Sequence, residues 1–200
     1  MRAKPALLVL ILSIVFHEIA HGYVAYRLGD PTAKASNRLS LNPLRHVDPF
    51  GSVLLPLILV MTNSPVLFGW AKPVPVNPGY FRDVKKGMML VGVAGPASNL
   101  VLASAAALVF RVLGPDGLIG LFLVQVCIIN VVLALFNLIP VPPLDGSRVV
   151  VGFLPEDMAR NYLRLEPYGF LIIFGLLWVG ALNYVLWPLA GVLLRVLLAV

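Results

Sequence analysis

Charge is scarce in this chain: only 12% of its 200 residues are Asp, Glu, Lys or Arg, against about 25% in an ordinary soluble domain. Too few charged groups remain to cover a water-soluble globule, while 60% hydrophobic residues exclude an intrinsically disordered chain. Cysteine is almost absent; the single Cys127 lies in an apolar run, so no internal disulfide staples the fold. Acidic residues number nine, giving a net charge of +6, yet the 15 Lys and Arg form no basic block. Nucleic acid is therefore not an expected partner. Snorkelling side chains and positive-inside topology account for the basic excess, and the expected solvent is a lipid bilayer.

Long hydrophobic runs are what the chain has in abundance. About 20 apolar residues cross a bilayer as a helix, and the windows at 6–26, 88–113, 118–139 and 168–187 meet that length. A fifth window, 50–70, is interrupted by Pro56 and by Thr62, Asn63, Ser64 and Pro65, so it either spans or dips in and returns. The start of the chain resembles a signal peptide, with Arg2 and Lys4 before an apolar stretch, but no small-residue cleavage site follows and a retained membrane helix is expected. The alternation Pro73, Val74, Pro75, Val76 is incompatible with helix and suits an extended edge or a membrane-embedded loop. Trp187 and Pro188 are expected to kink or end the last span, leaving 189–200 as a short apolar tail. The expectation is an all-α polytopic membrane protein, one domain over 1–200. It would be a bundle of four to six transmembrane helices with a re-entrant or β-like membrane-embedded loop.

Within the first span lies His17-Glu18-Ile19-Ala20-His21, an HExxH pattern on a helix. Residues four apart are separated by about 40° around a helix, so both imidazoles face one side and can hold one ion. Glu18, rotated about 100° from His17, can reach a water on that ion. With three His and three Glu in the chain, the pattern arises by chance with a probability of only about 0.0007. Ionisable side chains inside a span persist mainly for function; the plainer alternative is polar contact between helices.

A catalytic zinc takes three protein ligands and leaves the fourth position to water. Among the remaining carboxylates and His46, Asp145 is the best third ligand. It follows a proline-rich stretch, 140–143, that frees the backbone from regular helix, and Gly146 beside it allows close approach. The alternative for Asp145 is a helix N-cap. His46 reads first as an interfacial loop histidine, capping or pairing with Asp48, and second as a group that gates or orients the site.

These residues resemble the site-2 protease family of intramembrane zinc metalloproteases, in the compact form without PDZ or CBS domains. The matching pieces are 17–21, 94–99 and 137–146, with 42–46 and 69–73 resembling loops of the compact form. The resemblance implies one zinc per chain held by His17, His21 and Asp145, Glu18 as general base, and Asn137 and Asn99 lining the site where substrate backbone or oxyanion lies. For Asn99, hydrogen bonding between helices is the equal alternative. It implies a transmembrane protein or peptide as substrate and a role in regulated intramembrane proteolysis. A competing class is a membrane metal-ion transporter or metal sensor using the same residues as a transit site.

Depth and charge constrain topology. His17–His21 and Asp145 meet only if they lie at one depth, which favours a re-entrant 50–70 over a crossing one. That arrangement places the basic residues of 27–45, 72–86 and 148–164 on one side, against Arg2, Lys4, Arg111 and Arg195 on the other. The positive-inside rule makes the richer side cytoplasmic, and the site would open toward it in a multi-pass protein of the cell membrane.

Overall fold

The structure is a computed structural model that describes residues 3–62 and 71–199. Helix α1 spans Ala3–Arg27. A short turn of helix, α2 (Thr32–Ala35), follows; a π-helical turn at Pro49–Leu54 then runs into α3 (Leu55–Met61). Residues 71–77 are extended without strand partners, and no strand occurs among the described residues. The long helices α4 (Val84–Leu113) and α5 (Gly117–Asn137) form a hairpin; α6 (Asp145–Phe153) and α7 (Glu156–Leu163) are short, and α8 (Gly169–Trp178) and α9 (Ala181–Leu198) complete the chain.

Among the described residues, α1, α4, α5 and α9 are long and apolar enough to cross a membrane. The chain is an all-α polytopic membrane protein. Its surface is inverted accordingly: Leu118, Trp178 and Tyr184 are 86%, 89% and 83% exposed, which suits lipid and not water. Where helices cross, small residues set the distance. Ala103, Ala106 and Ala107 of α4 lie against Val131 and Cys127 of α5 and Ala190 of α9, as expected where packing rather than hydrophobic transfer joins helices.

Helix limits follow local chemistry more than hydropathy. α4 starts ahead of its apolar run because the Asp83 carboxylate accepts from the Lys86 N–H at 2.9 Å. It ends at Gly114, whose φ of 84° only glycine adopts freely.

The expected span at 168–187 is corrected. It is two helices, α8 and α9, divided at Gly180, which sits in the left-handed region at φ 71°. Pro188 does not end the helix: α9 runs through it to Leu198, and the stretch expected as an apolar tail is the second half of that helix, with Leu193, Leu194 and Leu197 packed against α4 and α5. A proline removes one hydrogen bond, which membrane helices tolerate, whereas a left-handed residue reverses the sign of the backbone twist and stops the helix outright. Of the window 50–70, residues 63–70 lie outside the described residues; the described part is the π-helical turn and α3.

Candidate metal centre

The inner face of α1 is a stripe at four-residue spacing. Val9, Ser13, His17, His21 and Ala25 are all buried, and this face packs on α4 and α5. The histidine pair therefore points into the bundle. The rings approach α4 so closely that a Cβ at Gly95 would overlap both, lying 2.6 Å from His17 Nε2. Glycine is the residue that fits there.

Each imidazole is oriented through Nδ1. His17 Nδ1 lies 2.6 Å from Asn99 Oδ1, and His21 Nδ1 lies 2.6 Å from the Val91 carbonyl oxygen. Asn99 in turn donates through Nδ2 to Asn130 Oδ1 at 2.8 Å and to the Ser13 carbonyl at 3.4 Å. The Ser13 carbonyl is only an acceptor, so the amide nitrogen of Asn99 faces it and Oδ1 faces His17. Both Nδ1 atoms are thus donors, and in the neutral rings the lone pair sits on Nε2.

The two Nε2 atoms are 3.0 Å apart. Asp145, the first residue of α6, places Oδ2 at 3.0 Å from His17 Nε2 and 3.1 Å from His21 Nε2. It does not cap the helix; its carboxylate turns to the histidines instead. A Cβ at Gly146 would collide with the carbonyl oxygen of Leu138, so the absence of one lets α6 start against the turn that follows α5.

Three electron-rich atoms in a triangle of about 3 Å edges form the face that a tetrahedral ion with bonds of about 2.0–2.1 Å would cap. The buried Asp145 Oδ2 has no hydrogen-bond partner, which a cation would supply. Among the described residues these three side chains form a group of potential metal ligands. The donor set of two imidazoles and one carboxylate fits zinc and leaves a fourth position.

A cavity of about 140 Å³ opens on this triangle, lined also by Glu18, Asn137, Arg148, and the segment Pro73, Val74 and Val76. Glu18 is half-buried, and its Oε2 accepts from the Val74 N–H at 2.8 Å. The extended segment at 72–77 is tied down at its other points too. Arg38, buried, donates through Nη2 to the Lys72 and Pro73 carbonyls; Lys72 N–H donates to the His46 carbonyl; Asn77 N–H donates to Asp30 Oδ2 at 2.7 Å.

The expected residues divide into groups. His17, His21, Asp145, Glu18 and Asn137 meet at the cavity. Asn99 does not reach it: it is fully buried behind His17, its amide engaged by His17, Asn130 and Ser13. Of its two expected readings, hydrogen bonding between helices is the one these contacts follow, because helix α4 presents Asn99 to the back of the His17 ring. His46 is buried away from the triangle, with Nε2 against the Ser40 carbonyl. Ser13, Val91, Asn130, Arg38 and Asp30 carried no individual assignment from sequence. Only Asn130, a polar group in an apolar span, gave a signal.

A histidine pair and a carboxylate converging among apolar helices define an integral membrane protein with a buried candidate metal site. Residues 115–179 match peptidase family M50. The chain is 43% identical over 191 residues to the "Putative zinc metalloprotease YwhC" of Bacillus subtilis, covering 90% of this chain and 83% of that protein. It is 30% identical over 180 residues to the "Putative zinc metalloprotease Rip2" of Mycolicibacterium smegmatis, covering 86% of this chain and 66% of that protein. No solved structure matches it significantly. The chain belongs to peptidase family M50.

Proposed function

We propose that the chain is an intramembrane zinc metalloprotease that cleaves a peptide bond within or near a transmembrane segment of a substrate protein. The observation that carries this reading is the convergence of His17 Nε2, His21 Nε2 and Asp145 Oδ2, with Glu18 lining the same cavity. Zinc held by these three would polarise the scissile carbonyl and bring the pKa of a water toward about 7.

Glu18 is the general base. Its Oε2 is held by the Val74 N–H, and its second oxygen takes the proton of the attacking water and returns it to the leaving amine. Asn137 engages one amide N–H on the Leu133 carbonyl and keeps its other N–H and its carbonyl oxygen for the substrate backbone. Asn99 holds the His17 ring and does not touch substrate. The segment at 72–77 and the turn at Pro143 and Leu144 line the cavity, and in this reading the substrate helix unwinds locally and enters it as an extended chain.

The site faces the cytoplasm in this reading. Asp30, just beyond α1, bonds to Asn77, just ahead of α4, which supports a connection that returns to the side it left and so a re-entrant 50–70. The basic residues gather at that end. The test is a panel of tagged single-span proteins incubated with purified chain in liposomes, with zinc content measured for wild type and Glu18→Gln. The expected result is zinc in both and a loss of about 10²–10⁴-fold in cleavage for the variant; full activity of Glu18→Gln would refute its role.

A further inference from the structure

Arg148 lines two cavities. One is the metal cavity, and the other, of about 620 Å³, lies between the start of α4, α6 and α7. We propose that this second cavity receives a bulky apolar side chain of the substrate, two or three residues from the cleaved bond. The inference rests on the protease reading and adds a specificity site to it.

The geometry comes from α6. Asp145, Arg148 and Val151 succeed one another at three-residue steps of about 4.5 Å; the first lines the metal cavity, the second both, the third only the larger one. From Asp145 to Val151 is therefore about 9 Å along the helix. An extended chain covers that in about three residues. A substrate held extended at the metal triangle and running along α6 delivers its next side chains past Arg148 into the larger space.

The lining says what fits. Val84, Met88, Val151, Ala159 and Leu163 supply an apolar wall. Of the charged groups at its edge, Asp83 caps α4 and Lys85 donates to the Leu154 carbonyl, while Glu156 and Arg160 form an exposed pair at 3.8 Å on α7. Arg148 alone among these lining residues faces both cavities. Its side chain is 37% exposed and stands 3.9 Å from Asp145 Oδ1, beyond hydrogen-bond length. Its N–H groups, on the wall that the two cavities share, suit the carbonyls of a passing backbone. An apolar space that shares the donor-rich Arg148 side chain with the metal cavity fits Leu, Met or Phe on an extended peptide.

The test is photocrosslinking, which does not depend on turnover. Full-length Glu18→Gln carrying p-benzoylphenylalanine at Leu163 is reconstituted in liposomes with single-span peptides. The peptides differ only in Ala or Phe at the three positions on each side of the bond that wild type cuts, or along the cytosolic end of the span if wild type cuts none. The same probe at Leu171, an exposed position on α8, is the control. The expected result is adducts from Leu163 to the peptide, about fivefold or more stronger with Phe than with Ala, and none of that preference from Leu171. Adducts to lipid alone, or equal yields from both positions, overturn the proposal. In parallel, Ala159→Trp, which narrows the space, is expected to lower kcat/KM about tenfold for the Phe peptides and less than about twofold for the Ala peptides; equal losses overturn it. Phe-dependent adducts without any cleavage by wild type would sink the protease reading and leave the peptide site standing.

Discussion

The two sides of α1 hold their functional groups by different means. Toward α4 and α5, His17 and His21 are fixed by Asn99, the Val91 carbonyl, Asn130 and Ser13, all inside packed helices and out of contact with solvent or lipid. Toward the cavity mouth, Glu18 is met by an extended segment that is part of neither helix nor sheet and is anchored by Arg38, His46 and Asp30. Helix packing is cooperative and resists local change, whereas a segment held by single hydrogen bonds can be released one anchor at a time. Metal binding and proton transfer should therefore be separable. Pro73 and Pro75 suit the second side, since a residue without an N–H leaves no orphan donor in a segment that lacks strand partners.

The harshest way to break this contrast is Gly95→Ala. Its Cβ would overlap both imidazoles, so either the rings or α4 must move, and zinc binding is expected to fall more than about 100-fold, with cleavage lost. Metal analysis after gel filtration measures it; retained zinc would mean that the inner side yields as easily as the outer. Asn99→Leu is the next in size. It removes the acceptor that orients His17 and leaves the Asn130 carbonyl oxygen unmatched, and loss of such a partner typically lowers metal affinity about 10–100-fold. A competition titration with a zinc chelator reads this directly.

Arg38→Ala sharpens the contrast from the other side. Its guanidinium joins the Lys72 and Pro73 carbonyls to the loop after α2, immediately before the Val74 N–H that steadies Glu18. The expected outcome is unchanged zinc affinity, within about twofold, and kcat lowered about tenfold with a smaller change in KM. Loss of zinc in this variant would join the two sides into one unit and end the distinction.

How far the sequence foretold these features follows the same division. Three of the spans and the candidate metal triangle were legible because their signals are local: an apolar run, an HExxH spacing, an Asp-Gly after prolines. The convergence of His17, His21 and Asp145 was expected from their donor chemistry and the family resemblance, and depth then constrained the topology that it requires. The break at Gly180 was not legible, because Ala181, Leu182, Val185 and Leu186 continue the apolar run on its far side, and only the left-handed backbone of one glycine divides it. Arg38 and Asp30 were illegible for another reason. A buried arginine in a polar loop looks like a surface one until the carbonyls that it serves are placed beside it, and those lie more than 30 residues downstream.

Asp30→Asn is the mildest change and tests whether the anchors act on stability alone. Asp30 is fully buried. Burial raises its carboxyl pKa, but hydrogen bonds from the Thr32 hydroxyl and from the Asn77 and Thr32 N–H groups lower it further, so the folded value lies below the ordinary 3.8. A group whose folded pKa is depressed contributes stability that is complete above its unfolded pKa and is lost as pH falls through the folded value. Asparagine at this position sets an N–H against one of these donors and removes the charge, for a loss of about 1–2 kcal/mol at neutral pH. Thermal unfolding of the chelator-treated proteins in detergent should show wild type above Asp30→Asn by a constant margin from pH 7 down to about 5. The margin should shrink below about pH 4, where wild type takes up the proton. Treating both with chelator keeps zinc release at low pH from entering the difference. A margin that stays constant through pH 3 would mean that the carboxylate charge of Asp30 contributes nothing to holding the segment at Asn77.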